Sequence, residues 1–346
     1  MEPEVVMHRP QDAPTPHPAR PKGRTFGEVA SEVTALAARA YADDVVPLSS
    51  LRMEETGLVR VGDRSLALTD WSQRLFASRM GIRWDQWFDP VDAAEMAEEV
   101  NRRLQRSTSD VRVRSRAWPA GSVLFGNGEL RAILSPTYTP IDDQRVFRAM
   151  GGSSRASLDR MRFSRISRTD RSTHYVATGW REHDLGRRGG RDLVFPGIHL
   201  RNSEVGYAAL TVEIALFRLV CTNGLVVRVA GRAILYRTHR PITDAALDVI
   251  LLRAFEDLPE AWTRTIQALE RSQSERIEKP EAAITTLVAS ADAPKSIARR
   301  IQEELAREPE ATIWTLVQAA TAIARDLQDP DLRYSLERAA GELLAA

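Results

Sequence analysis

The sequence predicts an α+β fold with N-terminal helices and a small hairpin, a central antiparallel sheet, and a C-terminal helical region. Three observations carry this expectation. Apolar residues recur at helical spacing in the first hundred residues, the apolar period drops to two from about residue 111, and it returns to helical spacing beyond Pro241.

Taken in order, "MEPEVVMHRPQDAPTPHPARPKGRTFG" has scattered prolines and no apolar core, so residues 1–25 are expected to form a disordered tail. From Phe26 to Ala40, Val29, Val33, Leu36 and Ala37 fall on one face of a helix. "LRMEETGLVRVGDRSLALT" then reads as short strands broken at the turn dipeptides Thr56-Gly57 and Gly62-Asp63. Asp70 is the expected N-cap of a second helix, with Gln73 in the capping-box position, and a third helix is expected over about 91–106.

Strands follow in "VRVRSRAW", "ELRAILSPTYTPI", "RMRFSRISRT", "THYVATGW", "DLVFPGIHLRN" and "YAALTVEIALFRLVCTNGLVV", with "DDQRVFRAM" as a short helix. The connections are short, which argues for antiparallel pairing and against a doubly wound parallel sheet. In the last strand Ala208, Leu210, Val212, Ile214 and Leu216 share one face, and the phase slips afterwards to Phe217, Leu219 and Cys221. Such a slip marks a bulge or a strand buried on both faces. Asn223-Gly224 between apolar runs is a two-residue hairpin signal, pairing 207–221 with about 225–237. Beyond Pro241, four apolar stripes starting at Leu247, Ile297, Ile313 and Leu332 require a partner surface. The expected organisation is a tail over 1–25, an α+β domain over 26–240, and a helical region over 241–346 packed on that same domain.

The net charge of +1 conceals a strong segregation. Residues 101–240 carry 25 arginines against 11 acidic residues, a net +14, whereas 1–100 sum to −6 and 241–346 to −7. A basic segment of this kind is the footprint of a polyanion partner, or else is neutralised by the acidic flanks within the fold. Only three residues are lysine, so nearly every positive charge is a guanidinium, suited to bidentate phosphate contact and to stacking on bases. The single cysteine excludes an internal disulfide and any CxxC motif, and a reducing cytoplasm is the expected setting. No apolar run reaches the roughly 18 residues that a membrane span needs.

Several phrases, "LALTDWSQRLFASRMGI", "LRAILSPTYTPIDDQRVF", "LRNSEVGYAAL", "FRLVCTNGLVV" and "TIWTLVQAATAIARD", resemble the phage/plasmid-like protein family that is classed as a domain of unknown function. The resemblance runs in order from about residue 45 to the C-terminus and departs at Gln318, where asparagine would be expected. It implies a cytoplasmic product encoded on phages, plasmids and neighbouring mobile DNA, and it brings no established activity or catalytic residues. Asn202, Ser203, Glu204, Gly206, Arg218, Cys221, Asn223 and Gly224 occupy its motif positions, without a known role.

Cys221 has no base placed near it in sequence, and Arg218, three residues away on a strand, would face the opposite side, so a buried structural cysteine is expected. Asn202, Ser203 and Glu204 offer an amide, a hydroxyl and a carboxylate to a ligand, yet the same residue types close turns on their own backbone. Asp142 and Asp143 sit at a helix start, where carboxylates complement the dipole, and no metal site or cofactor is expected. No Walker loop, HExxH, GxSxG or dinucleotide fingerprint is present, and "GNGELR" lacks the geometry of a phosphate cradle.

The strongest functional signal is a run of arginines. Arg145, Arg148, Arg155, Arg160, Arg162, Arg165, Arg168, Arg171, Arg181, Arg187, Arg188 and Arg191 are opposed by only four acidic residues, and Phe163, Tyr175 and Trp180 are interleaved. Arginines that track phosphates, with aromatics for stacking, are how sheets hold single strands. The expected function is therefore a non-catalytic nucleic-acid-binding protein, for single-stranded DNA, acting in replication or recombination of a mobile element. Two alternatives stand beside it: a metal-dependent nuclease or other hydrolase using Glu204, His174, His199 or Asp142, and an oligomeric scaffold, which would be a homo-oligomer.

Overall fold

Two sheets, with helices packed on each, account for most of the chain. The computed structural model describes residues 23–344 apart from 42, 83–92, 123, 125, 154–157, 180–181, 187–192, 219–223 and 228–232. The expected tail over 1–25, save its last residues, lies outside that range.

Helix α1 (Phe26–Ala37) opens with a capping box in which Thr25 and Glu28 satisfy each other's backbone N–H. The first sheet comprises β1 (Asp44–Pro47), β2 (Arg52–Met53), β3 (Val59–Val61), β4 (Arg64–Leu68), β5 (Asp110–Ala117) and β6 (Gly128–Leu134), in the order β1-β5-β6-β4-β3-β2. Gly57 and Gly62 take positive φ at the two predicted turns, as the tight reversals require. Helix α2 (Asp70–Arg79) and α3 (Ala93–Gln105) pack on this sheet through Phe76, Ala77, Val100 and Leu104. The cap of α2 is Thr69, one residue earlier than expected. Its hydroxyl accepts from Ser72 N–H, and the Ser72 hydroxyl accepts from Thr69 N–H, so Ser72 takes the reciprocal role expected of Gln73.

The second sheet comprises β7 (Arg162–Arg168), β8 (Thr173–Thr178), β9 (His183–Asp184), β10 (Leu193–Asn202), β11 (Leu210–Arg218), β12 (Gly224–Val227) and β13 (Leu235–Arg237), all antiparallel. Its main path runs β12-β11-β10-β8-β7, with β13 also on β11 and β9 also on β10. Helix α4 (Asp143–Ser153) leads into it from the first sheet.

The single antiparallel sheet expected from residue 111 onward is thus divided in two. Strand β6 stops at Leu134, before Pro136 and Pro140, which lack the N–H that a ladder needs. Strands β5 and β6 join the N-terminal hairpin instead, and β6 lies parallel to β4, Leu66 opposite Gly128. Gly126 and Gly128 serve this packing: a Cβ on Gly128 would stand 2.2 Å from the Arg116 carbonyl oxygen, and one on Gly126 would stand 2.5 Å from that of Ser65.

Strand β11 pairs in unbroken register with β10, from Arg201 opposite Thr211 to Val194 opposite Arg218, so no bulge falls there. It is buried on both faces: Leu210, Val212 and Ile214 on one, Thr211, Glu213 and Ala215 on the other. The strand does pair with the next one as a hairpin, but the expected Asn223-Gly224 two-residue turn is corrected: Phe217 lies opposite Gly224 and Ile214 opposite Val227, so Gly224 is a strand residue and the connection spans 218–223, where Cys221 and Asn223 lie outside the described residues.

The reason for this two-sided burial is a layered arrangement. On the apolar face, Phe163 and Tyr175 meet Phe147 of α4, which stacks on Phe26 of α1 at 5.6 Å between ring centroids. The C-terminal helices are α5 (Asp244–Glu256), α6 (Leu258–Ser272), α7 (Pro280–Ser290), α8 (Lys295–Leu305), α9 (Ile313–Arg325) and α10 (Pro330–Glu342). Helix α10 lies on the opposite, polar face, where Tyr334 approaches the rings of His174 and His199. One continuous apolar core joins α1, α4, the second sheet and the C-terminal helices. No helix among the described residues is long and apolar enough to cross a membrane.

Candidate functional site

The arginine-rich segment divides between the two ends of the second sheet. One end, where β7 and β10 finish and β8 begins, is called here the Asn202 end; the other, where β7 and β10 begin and β8 finishes, is the Gly179 end.

From the middle of the sheet to the Asn202 end, the arginines are spent on acids of distant helices. Arg165 holds Glu337 of α10 through both terminal nitrogens, at 3.0 and 2.9 Å. Arg168 pairs with Glu32 of α1 at 2.5 Å. Arg171 reaches Asp329 and Asp331, each at 2.8 Å, and Arg201 reaches Asp331 at 2.7 Å. Arg171 and Arg201 also lie over the Tyr207 ring, at 4.8 and 5.4 Å. On α4, Arg145 is engaged by Asp244 at 2.6 Å and by the carbonyls of Pro140 and Ile242, while Arg148 is exposed. The acidic C-terminal flank therefore neutralises part of the basic centre within the fold.

Asp331 is the hub of the polar layer. Ser172 donates to it at 2.9 Å and His174 Nε2 lies 3.2 Å from it, while His174 Nδ1 is 3.0 Å from His199 Nε2. Because a carboxylate only accepts, His174 carries its proton on Nε2, and His199 donates from its own Nε2. Burial raises the Asp331 pKa, but the hydrogen bond from His174 and the Arg201 guanidinium outweigh it and hold the carboxyl below the usual range. Burial drives both histidines down, so each is neutral. Serine, histidine and aspartate here do not form a nucleophilic triad: Ser172 and Asp331 share the same imidazole nitrogen, and all three residues are buried.

The "RNSEVG" segment locks the two sheets together. Asn202 donates from its amide to Asp143 Oδ1 and to the Ile141 carbonyl, both at 2.8 Å, fixing the start of α4. Ser203 closes the turn, accepting from Tyr207 N–H at 2.9 Å and donating to the Arg171 carbonyl at 2.6 Å. Glu204 accepts from Asp143 N–H at 3.0 Å and pairs with Arg131 of β6 at 2.7 Å. Gly206 has φ of +79°, and a Cβ there would meet the Leu134 side chain at 2.9 Å.

Burial raises the Glu204 pKa, but Arg131 and Arg114 bring it down to about 2. Burial and the Glu204 charge push Asp143 up to about 6, and Tyr175 donates to it at 2.7 Å. Asp142 faces buried Arg114 at 2.7 Å. Glu204, His174, His199 and Asp142, the hydrolase candidates, are thus tied into two separate internal networks. Among the described residues no group of three or more His, Cys, Asp or Glu side chains is arranged to hold a metal ion.

The Gly179 end is different in character. Arg162 donates to the main-chain carbonyls of Asp159 and Met161, and Arg160 is exposed. The chain leaves the sheet at Gly179 and is described again at Glu182; it leaves β9 at Gly186 and returns at Leu193. Both connections begin and end here. Arg181, Arg187, Arg188 and Arg191 fall between those anchors in sequence and lie outside the described residues, as does Arg155. The backbone of Arg218 is at this end too, opposite Val194, and that of Gly224 opposite Phe217.

Beside these anchors opens a cleft of about 590 Å³, lined by Arg160, Met161, Gly179, Glu182, His183, Pro196 and, from α5 and α6, Phe255, Leu258, Trp262 and Glu270. Trp262 donates its indole N–H to the Gly197 carbonyl at 3.1 Å, and His183 pairs with Glu270 at 3.0 Å. Sequence reasoning missed this cleft, because α6 lies some 80 residues beyond the strands it meets and no signal in the sequence singles out Trp262.

The fold defines an α+β chain whose polar clusters, among the described residues, mostly tie its elements together. The family described as a domain of unknown function, DUF932, matches residues 132–328, which run from β6 through the second sheet to just before α10; the chain belongs to that family. No curated protein and no solved structure matches the chain.

Proposed function

We propose that this chain is a non-catalytic protein that binds single-stranded DNA at the Gly179 end of the second sheet, serving replication or recombination of a mobile element. The observation that carries the reading is the partition of arginines along one sheet. Those from the middle to the Asn202 end meet buried or half-buried carboxylates, whereas Arg160 and Arg162 stand at the other end, and Arg181, Arg187, Arg188 and Arg191 belong in sequence to the connections anchored there at Gly179, Glu182, Gly186 and Leu193. Guanidinium groups beside an aromatic cleft suit phosphates and unstacked bases together. The mobile-element setting rests on the resemblance of the sequence phrases.

Fluorescence anisotropy with labelled single-stranded and duplex oligonucleotides at low salt tests the reading. It requires tighter binding of the single strand and no cleavage with or without Mg²⁺. Binding of neither DNA, or a metal-dependent cleavage lost in Glu204→Gln, would overturn it.

A further inference from the structure

The cleft at the Gly179 end combines the volume of a small-ligand site with a lining rich in apolar side chains. Gly179 and Pro196 both line it, and their backbones approach closely there: a Cβ on Gly179 would stand 2.7 Å from the Pro196 carbonyl oxygen. Its walls are Met161, Pro196, Phe255 and Trp262. The indole is held in place by its 3.1 Å bond to the Gly197 carbonyl, so its orientation is set before any ligand arrives. A volume of about 590 Å³ falls in the range of small-ligand sites.

We propose that this cleft receives one unstacked nucleobase of the bound strand, a proposal that rests on the single-stranded DNA reading. The walls offer π-faces and apolar contact to any base, which makes the slot tolerant of sequence. The rim is mixed in polarity, with Gln267 beside Arg160 and Glu182, which are themselves engaged within the protein, and it suits the edge of a base better than a hydrocarbon ligand. Glu182 and Glu270 repel a phosphate from the cleft itself, so the sugar-phosphate backbone runs along the arginine side, past Arg160 and Arg162. A paired, stacked duplex cannot present a base in this way without flipping it.

The test compares an intact oligothymidylate with an abasic strand of equal length, which keeps the phosphates and lacks the bases, by anisotropy at one low salt concentration. Wild type is expected to bind the intact strand between about fivefold and about a hundredfold more tightly. Trp262→Leu, which keeps apolar volume and loses the π-face, should remove most of that difference while leaving affinity for the abasic strand in place. Trp262→Phe, which keeps a π-face, should retain most of it. Equal binding of both strands by wild type overturns the slot and leaves the arginine reading standing. A difference that persists in Trp262→Leu also overturns the slot, and absence of binding to either strand removes both. Should Trp262→Leu fail to fold, the wild-type comparison and Trp262→Phe still decide.

Discussion

Arg165 of β7 and Glu337 of α10, 172 residues apart, form a two-bond ion pair in which the Glu337 side chain is only 1% exposed. The pair fastens the last helix across the polar face of the sheet. Removing the arginine strands a buried carboxylate. Arg165→Ala is therefore expected to destabilise the fold by about 3–5 kcal/mol, read from urea unfolding, because an uncompensated buried charge is costly. DNA affinity of the folded fraction should be unchanged, since this arginine is already engaged.

Glu204 gives a second expectation of the same kind. In Glu204→Gln, Arg131 and Arg114 lose the charge that faces them, while the amide oxygen can still accept from Asp143 N–H. A loss of about 1–3 kcal/mol in unfolding free energy is expected from the unpaired charge. A variant as stable as wild type would show that the link between the sheets does not depend on this pair.

The buried histidines set a pH dependence. His239 is held down to about 4, by burial first and by the Arg114 charge next, and burial likewise lowers His174 and His199. For these groups the unfolded chain binds protons more readily than the folded one, so their contribution is complete above pH 6.5 and is lost as pH falls towards 4. Glu204, depressed to about 2, adds a further loss between pH 4.5 and 2. Asp143, raised to about 6, works in the opposite sense: its ionisation costs the folded state stability as pH rises through 6, so acidification through that range offsets part of the histidine loss. Unfolding free energy measured from pH 7 to 4 should therefore fall, and His239→Gln should flatten the curve. A wild-type curve that is level or rises on acidification would contradict the neutral, buried histidines.

Gly197 lies where β8, β10 and Trp262 converge. A Cβ there would stand 2.1 Å from the Ala177 carbonyl oxygen and 3.1 Å from the Phe217 ring. The Ala177 carbonyl belongs to the β8–β10 ladder and cannot yield without disturbing it, so Gly197→Ala should lower the melting temperature and loosen the seat of Trp262. Near-ultraviolet circular dichroism would register the second effect, and an unchanged melt would refute the close approach.

The sequence was most readable where structure is local. The helix at Phe26 and the turns at Gly57 and Gly62 follow from apolar periodicity and glycine, and the pairing of β11 with β12 from two apolar runs in succession, although its turn falls earlier than Asn223-Gly224. The parallel pairing of β4 with β6 was not readable, because nothing in either strand specifies a partner some 60 residues away. Charge counting located the basic centre, but the matching of Arg165 with Glu337 and of Arg171 with Asp331 depends on where α10 lands. The phase slip in β11 left a bulge and two-sided burial both open; the landing of α10 buries its polar face, with Tyr334 donating to Glu213 at 2.5 Å. Asn202, Ser203 and Glu204 were visible as a cluster, yet their role as a lock between sheets needed the positions of Asp143 and Arg131.

The central claim is that the Gly179 end of the second sheet, and not the Asn202 end, presents arginines to phosphate. The salt dependence of single-strand affinity tests it most directly, measured for wild type and for a variant with Arg187, Arg188 and Arg191 changed to Ala. A phosphate contact on a single strand contributes about 0.7 to the slope of log affinity against log salt. The account predicts a steep slope for wild type and a slope shallower by about 2 for the variant, with its fold and melt unchanged. An identical slope in the two proteins, or affinity that does not respond to salt, would contradict it.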